Sequence, residues 1–256
     1  MLLAIDIGNT NTVIGIFDRD RLIGFYRLSS REMLTADEAG LELVNLCGIN
    51  KIDASSMEGV SMCSVVPSLA LTFESAVNKY FNLKPLVLTH ETDHGLIIDY
   101  DIPNQVGADR IADAAAAFDK YGGPTIIVDL GTAITVDAVS SDSHYLGGAI
   151  APGIEASVAG LSKRASQLFQ VPLKSPGRAL GKNTLESIQA GIIYGAVGQI
   201  DELVKRISGE IGEPIKKVVA TGGLSDMVFG ISSTIQEVVP ALTLDGLKLI
   251  YNRLNK

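Results

Sequence analysis

The sequence is poor in cysteine, in positive charge and in long apolar runs. Its two cysteines, Cys47 and Cys63, are too few for a disulfide scaffold or a four-thiolate zinc site, and their apolar neighbours predict buried, unreactive thiols. Lysine and arginine number 21 against 29 aspartates and glutamates. This acidic balance argues against a general nucleic-acid or anionic-membrane binder, which needs a basic surface.

No segment has the composition of a signal peptide or of a transmembrane helix. No basic region precedes the first apolar run, and Asp6 interrupts that run early. No stretch approaches the roughly 18 apolar residues that span a bilayer. Hydrophobic residues make up 46% of the chain, which is enough for a substantial core. We therefore expect a reduced, cytoplasmic protein with one large domain or two smaller ones.

Short β-branched runs alternate with amphipathic helical runs, a pattern typical of α/β architecture. Thr35, followed by Glu38, predicts a capping box that opens the first helix. The predicted strands lie at 1–6, 12–17, 22–28, 59–66, 85–88, 125–129, 135–139 and 218–220. The other predicted helices lie at 68–80, 108–120 and 185–210.

An internal repeat is the most informative feature of the sequence. The segment IDIGNTNT at 5–12 recurs 123 residues later as VDLGTAIT at 128–135. A duplicated strand–turn–strand, with an aspartate at the end of its first strand, predicts two similar domains whose turns line a shared cleft. We place these domains at 1–115 and 116–256.

The repeated Asp-x-Gly turn suits phosphate binding. Its glycine lets the backbone approach a ligand, and its N–H groups and Thr or Asn side chains can surround phosphate oxygens. The aspartate is placed to hold a metal–water shell beside them. One such turn is also ordinary hairpin chemistry. Two copies followed by Thr-Gly-Gly at 221–223 resemble the phosphate 1, phosphate 2 and adenosine order of the actin, hexokinase and Hsp70 fold.

Five motifs, in order along the chain, resemble those of type III pantothenate kinases. They are DIGNTNT at 6–12, GADR at 107–110, DLGTA at 129–133, GGAIAPG at 147–153 and GKNT at 181–184. The resemblance implies two actin-like (ribonuclease H-like) α/β domains with mixed sheets flanked by helices. It also implies a homodimer that phosphorylates pantothenate with ATP, the first step of coenzyme A synthesis. The implied cofactors are Mg²⁺ with ATP and a monovalent cation, K⁺ or NH₄⁺.

The same resemblance assigns roles to single residues. Asp109 is implied as the catalytic base, Asp129 as the ligand of the monovalent cation, and Thr184 as a pantothenate contact from the neighbouring subunit. The implied ATP-binding residues are Asp6, Ile7, Gly8, Asn9, Thr10, Asn11, Thr12, Val13 and Thr132. The implied pantothenate contacts are Tyr100, Gly107, Ala108, Asp109, Arg110 and Thr184.

Asp109 and Arg110 also suit these roles by their chemistry. They open a predicted helix, whose N-terminus favours an anion and keeps the acid ionised. A carboxylate is a weak base for an alcohol, but phosphoryl transfer is loose, so positioning and late proton acceptance suffice. The planar guanidinium of Arg110 suits the carboxylate of pantothenate. The alternative is an N-cap aspartate beside a solvated arginine.

Three further patterns point to chemistry more weakly. HETDH at 90–94 matches a zinc-protease pattern that requires a helix, but the flanking strand-like runs and Gly95 predict none. GRALGKNT at 177–184 is one spacer residue short of a Walker A loop, so we interpret it as a loop entering the long helix, with Asn183 or Thr184 as the cap. His144 is interpreted as a surface-loop residue rather than a base.

The helix at 185–210 predicts a homodimer. It carries apolar residues along one side and glycines at 191, 195 and 198, so a partner helix could approach it closely. The alternative is packing inside its own domain.

Other functions stay open at this point. A non-catalytic regulatory or accessory protein on the same fold would be favoured by loss of Asp6, Asp109 or Asp129, but all three are present. A sugar kinase is the enzymatic alternative. An actin-like filament ATPase is disfavoured because the chain leaves no room for the usual subdomain insertions.

Overall fold

A computed structural model describes residues 1–164 and 172–255 of the chain. Contacts divide the protein into two compact units. The first unit contains Met1–Ala116 together with Ala241–Lys256, and the second contains Ala117–Pro240. The domain limits 1–115 and 116–256 stay a prediction, since contacts alone group the last segment with the first unit.

The helices and strands follow one another along the chain as α/β units. The described strands are β1 (Leu2–Ile7), β2 (Asn11–Asp18), β3 (Arg21–Ser29), β4 (Gly59–Ser64), β5 (Leu86–Val87), β6 (Ile97–Ile98), β7 (Thr125–Leu130), β8 (Ala133–Val139), β9 (His144–Pro152), β10 (Lys217–Thr221) and β11 (Glu237–Val238). The described helices are α1 (Ala36–Ile49), α2 (Pro67–Phe81), α3 (Ala108–Tyr121), α4 (Ile154–Arg164), α5 (Thr184–Ile211), α6 (Ser225–Phe229) and α7 (Leu242–Leu254). Short 3-10 turns lie at Ala54–Ser56 and Pro103–Gln105.

The two units repeat one sheet topology. The strands of the first unit lie in the order β3-β2-β1-β4-β5, and β9-β8-β7-β10-β11 take the corresponding places in the second. In each unit the first three strands pair antiparallel. The last two strands run parallel to the first. This confirms the predicted α/β class with duplicated mixed sheets flanked by helices.

Local sequence signals account for the first unit. Strand β1 is buried on both faces, as its largely apolar sequence predicts. The predicted capping box opens α1, since the Glu38 N–H donates to Thr35 Oγ1 at 3.2 Å and the Thr35 N–H donates to Glu38 Oε2 at 2.9 Å. Helix α7 adds Leu244, Leu247 and Ile250 to the buried residues of this unit.

Helix α5 covers the second sheet with a stripe that differs from the predicted one. The apolar spacing selects Leu185, Ile188, Ile192, Ala196, Ile200, Leu203 and Ile207. Of these, Ile200 is buried and the other six are partly buried. The fully buried stripe is Ala190, Ile193, Val197, Ile200 and Val204. The sheet therefore contacts a neighbouring face of the helix, and the predicted stripe keeps part of its apolar surface accessible.

Strand β9 is not among the predicted elements, and it corrects the interpretation of His144. His144 begins this strand, half-buried, instead of lying in a surface loop. Glycines at 147 and 148 weaken the strand signal in the sequence. Gly148 is required because a Cβ there would collide with the carbonyl oxygen of Val136 on β8. Among the described residues, no helix is both long and apolar enough to cross a membrane.

Candidate active site

The first Asp-x-Gly turn joins β1 to β2. Asp6 is the next-to-last residue of β1, and Ile7 ends the strand with its side chain in the core. The Gly8 N–H donates to the Asn11 carbonyl at 3.0 Å, and a Cβ on Gly8 would lie 2.9 Å from the same oxygen. Asn9 and Thr10 form the exposed tip. The turn thus presents backbone to solvent at the end of a buried strand.

Ser30, the residue after β3, holds this turn and was not identified from the sequence. Its hydroxyl donates to the Gly8 carbonyl at 2.7 Å, and its backbone N–H donates to the Thr10 carbonyl at 2.9 Å. Ser30 Oγ also lies 3.0 Å from Oγ1 of the buried Thr12. Because the Ser30 hydrogen is committed to Gly8, Thr12 is the donor in this pair. The Thr12 hydroxyl is therefore used inside the protein.

The Asp6 carboxyl is surrounded by protein and lies beside a second acid. Burial raises its pKa, the charge of Asp109 raises it further, and the result is about 7 despite the opposing effects of Cys63 and Arg27. The Cys63 thiol donates to Asp6 Oδ1 at 3.3 Å. Burial and the charge of Asp6 raise the pKa of Cys63 well above its usual value, so this thiol stays neutral. Cys63 is buried, as predicted, and it also contacts a site residue.

Asp109 is held by the first turn of α3. The Arg110 N–H donates to Asp109 Oδ1 at 2.8 Å, and the Ile111 N–H donates to the Gly107 carbonyl at 3.1 Å. A Cβ on Gly107 would collide with Asp109 Oδ1. The glycine of the Gly-Ala-Asp-Arg motif therefore leaves the room that the carboxylate occupies. Ala108 begins the helix.

Arg110 is not the solvated arginine of the alternative interpretation, because the residue is only 8% exposed. One turn later, Asp113 is 3% exposed and accepts a hydrogen bond from the Thr243 hydroxyl of α7 at 2.7 Å. Helix α3 is therefore tied to α7 at Asp113. Tyr100 lies half-buried in the segment before α3.

The second Asp-x-Gly turn joins β7 to β8. The Gly131 N–H donates to the Ala133 carbonyl at 3.1 Å. A Cβ on Gly222 would lie 2.5 Å from Asp129 Oδ1, and one on Gly131 would lie 3.3 Å from Oδ2. Thr132 is exposed at the tip of the turn. Two glycines therefore flank the Asp129 carboxylate where side chains would otherwise cover it.

Thr184 is exposed as the first residue of α5. Asn183 caps this helix by accepting the Glu186 N–H at 2.9 Å, so the GKNT motif ends a loop as interpreted. A groove of about 620 Å³ lies at this end of the helix, between Thr184, Ile188 and Leu161 of α4. This groove is open on the surface of the second unit.

The HETDH segment forms turns and not a helix. His94 is buried, and its Nδ1 accepts the Leu96 N–H at 3.2 Å. Burial lowers the pKa of His94. Within 1–164 and 172–255, no group of three or more His, Cys, Asp or Glu side chains is placed to hold a metal. The turn conformation at 90–94 agrees with the prediction that this segment forms no helix.

The predicted site residues fall into two groups. The turn from Asp6 to Val13, together with Tyr100 and the Gly107–Arg110 motif, belongs to the first unit, where Asp6 and Asp109 interact. Asp129, Thr132 and Thr184 belong to the second unit.

Comparison with known proteins gives a consistent result. Residues 2–206 match the family described as type III pantothenate kinase. A protein of that name from Anaeromyxobacter sp. (strain Fw109-5) is 44% identical over 253 residues, covering 99% of each chain.

Solved structures with the same fold are more distant in sequence. A Baf family transcriptional activator from Campylobacter jejuni aligns over 99% of this chain and 100% of its own, with a TM-score of 0.62 and 22% identity. The activator of 2-hydroxyisocaproyl-CoA dehydratase from Clostridium difficile aligns over 99% and 97%, with a TM-score of 0.58 and 13% identity. This likeness concerns the fold alone, which is the actin-like ATPase fold. The family match and the identity over the whole length show that the chain belongs to the type III pantothenate kinases.

Proposed function

We propose that this chain transfers a phosphoryl group from ATP to pantothenate, with Asp109 as the general base. The product would be 4′-phosphopantothenate, in the first step of coenzyme A synthesis. The observation that carries the base assignment is the interaction of Asp109 with Asp6, whose pKa the Asp109 charge raises. Asp109 thus lies within electrostatic reach of the phosphate turn that Asp6 begins.

The chemical step follows from this placement. The pantothenate hydroxyl oxygen forms a bond to the γ-phosphorus while the bond from that phosphorus to the β,γ-bridging oxygen breaks, which releases ADP. The hydroxyl proton passes to the Asp109 carboxylate. Because phosphoryl transfer is loose, the proton moves late and the main task of Asp109 is to orient the hydroxyl. The Arg110 N–H and the space beside Gly107 fix the carboxylate for that task.

The first turn fits an ATP–Mg²⁺ complex. Burial and the charge of Asp109 raise the pKa of the Asp6 carboxyl to about 7, so its ionised form would be stabilised by added positive charge. A divalent cation beside Asp6 would supply that charge and neutralise the phosphate oxygens. The backbone of residues 8–11 would bind the phosphates, and Thr132 would contact ATP.

The second turn fits a monovalent cation at Asp129. Its carboxylate lies close to Gly131 and Gly222, which have no side chains to crowd it, and oxygen donors are the ligands that such cations prefer. The test compares activity in K⁺ or NH₄⁺ with activity in a buffer whose only monovalent cation is Na⁺. Full activity in sodium alone would count against this role.

Pantothenate would bind beside α3. Its carboxylate suits the buried guanidinium of Arg110, which can donate two parallel hydrogen bonds. Tyr100, Gly107 and Ala108 would complete the contacts within the first unit. Arg110→Lys keeps the charge but loses the planar pair of donors. It should therefore raise KM for pantothenate more than KM for ATP.

The active unit is proposed to be a homodimer that pairs α5 with its copy. Among the residues that the structure describes in the single chain, a Cβ on Gly191, Gly195 or Gly198 would meet nothing within 4 Å. Packing against the described residues of the unit therefore does not explain these glycines. A partner helix approaching this face does explain them, and a two-fold interface would make two equivalent sites. Thr184 would then reach pantothenate bound to the partner.

Subunit mixing tests the shared site. Asp109→Asn and Thr184→Arg chains, each inactive alone, are combined under exchange conditions. If sites are shared, some heterodimers contain one intact site and activity returns. If every chain builds its own site, no mixture regains activity and the role of Thr184 is wrong.

The activity itself is tested by ADP release from the purified protein with pantothenate and with a panel of sugars. Turnover with pantothenate alone supports the proposal. Turnover with a sugar favours a sugar kinase, and no turnover with any acceptor favours the non-catalytic alternative. Cytoplasmic location stays a prediction.

A further inference from the structure

Ser30 lies outside every motif that points to kinase chemistry, yet three of its interactions converge on the first turn. The hydroxyl donates to the Gly8 carbonyl, the backbone N–H donates to the Thr10 carbonyl, and Oγ accepts from Thr12. Gly8 and Thr10 flank Asn9 at the tip. Ser30, which lies two strands away from Asp6, therefore holds the turn on both sides of its tip, at Gly8 and at Thr10.

These bonds also set the direction of the peptide N–H groups. In a planar trans peptide, the carbonyl of one residue and the N–H of the next point in opposite directions. The carbonyls of Gly8 and Thr10 point towards Ser30, so the N–H groups of Asn9 and Asn11 point away from it. Two N–H dipoles fixed in this way suit an anion on the side of the turn opposite Ser30.

We propose that Ser30 is a positioning residue for ATP: it fixes the first turn so that the N–H groups of Asn9 and Asn11 meet phosphate oxygens. The inference rests on the proposed function only in taking ATP as the ligand of this turn. Ser30 itself contacts no phosphate, because its hydroxyl faces Gly8 and Thr12. Loss of the Ser30 hydroxyl leaves the Gly8 carbonyl without this donor. The turn must then become ordered when ATP binds, which weakens the affinity for ATP.

The test compares Ser30→Ala with Ser30→Thr, which keeps a hydroxyl, and with Ser29→Ala as a matched control. Ser29 is the exposed neighbour at the end of β3. ATP binding is measured by calorimetry without pantothenate, so the result does not depend on the acceptor. We expect Ser30→Ala to weaken ATP binding by about 10-fold or more, because the Gly8 carbonyl loses its donor and the turn must become ordered on binding. Ser30→Thr should recover most of the affinity, and Ser29→Ala should bind as the wild type does.

Steady-state kinetics separate positioning from general damage. Ser30→Ala should raise KM for ATP and leave KM for pantothenate close to that of the wild type. Unchanged ATP binding in Ser30→Ala, or equal rises of both KM values, would overturn the proposal. Failure of the proposed function is seen separately, as ATP binding by the wild type without turnover of pantothenate.

Thr12→Val provides a second route if Ser30→Ala does not fold. It removes the donor to Ser30 Oγ and should also weaken ATP binding. The double variant should bind ATP about as tightly as the single variant with the lower ATP affinity, since both substitutions act through one cluster of hydrogen bonds. Additive losses would show independent effects and contradict the proposal.

Discussion

The two Asp-x-Gly turns occupy the same place in two copies of one sheet, but they are held differently. The first has four residues, 8–11, between the paired Ile7 and Thr12, whereas the second has three, 131–133, between Leu130 and Ile134. Duplication kept the strand order, and the turns between the strands diverged.

The residue that follows the third strand shows the difference most clearly. By strand register this residue is Ser30 in the first unit and Gly153 in the second, since Asn11 pairs with Ser29 and Ala133 pairs with Pro152. Ser30 holds its turn through a side chain. Gly153 instead passes so close to its turn that a Cβ would collide with the carbonyl of Thr132. Substitution of Ser30 should therefore impair function while the protein still folds. Substitution of Gly153 should lower the stability of the protein.

The largest expected effect concerns Asp109 of the first unit, the proposed base. Asp109→Asn keeps the size of the side chain but removes its charge, so kcat should fall by roughly 10²–10⁴, the usual contribution of general acid–base catalysis. Asp119→Asn, an exposed change on the same helix, is the control. Near-normal turnover of Asp109→Asn, with an unchanged fold by circular dichroism, would remove Asp109 from the mechanism.

The close approach at Gly153 gives the next largest effect. Gly153→Ala should lower the free energy of unfolding by about 1–3 kcal/mol, because the neighbouring atoms are backbone and cannot move aside. Gly209→Ala on α5 is the control, since its Cβ would meet no described residue within 4 Å and alanine favours helix. Urea unfolding of both variants measures the difference. Equal stability in the two variants would mean that the second turn is as adaptable as the first.

The raised pKa of Asp6 should appear in the pH dependence of stability. Between about pH 4 and pH 7 the folded chain keeps a proton that the unfolded chain has lost, so the contribution of Asp6 to stability falls as pH rises. Asp6→Asn should therefore be more stable than the wild type at pH 8 and equally stable near pH 4. The measurement is urea unfolding at both pH values without nucleotide or Mg²⁺.

Asp201 in the second unit provides a control of opposite sign. Burial tends to raise its pKa, but hydrogen bonds from Ser232, Ser233 and Thr234 overcome this and lower it to about 2. Asp201→Asn should therefore destabilise the protein at pH 7, with a loss that shrinks as pH falls from about 4 to about 2. The same direction of change for Asp6→Asn and Asp201→Asn would contradict the assignment of Asp6.

The smallest effect concerns the residue beside each aspartate. Across the parallel ladder, Asp6 pairs with Cys63 and Asp129 pairs with Thr221. Cys63→Ser gives the first unit a hydroxyl, a stronger donor than a thiol, so the pKa of Asp6 should fall, by less than about one unit. The pH range over which stability falls should therefore move to lower pH. Cys47→Ser, a change at the other buried thiol, should leave the profile in place.

The sequence predicts what depends on local patterns. The repeat at 5–12 and 128–135 correctly indicated the duplicated hairpins, and Thr35 with Glu38 correctly indicated a capped helix. The Gly-Ala-Asp-Arg motif correctly marked the start of α3. Each of these signals lies within a few residues, where backbone preferences and spacing act directly.

What the sequence did not reveal depends on register between distant strands. Ser30 and Cys63 lie beside Gly8 and Asp6 only because β3 and β4 pair at one offset and no other. Strand β9 was missed because glycines, which disfavour strands, are needed for its close approach to β8. In each case the packing between elements decided the outcome, and a single sequence carries little information about that packing.

Helix α7 has a consequence for the order in which the protein is made. The first unit is discontinuous, since its sheet forms from the start of the chain while α7 comes from residues 242–254. Thr243 bonds Asp113 on the helix that holds Asp109, and a Cβ on Gly246 would collide with the Ala112 carbonyl, so α7 lies directly against α3. During synthesis the second unit, which is continuous in sequence, can fold before α7 is made. The first unit can complete its fold only after α7 has been made. Competence for catalysis should therefore arise only when translation of that helix is complete.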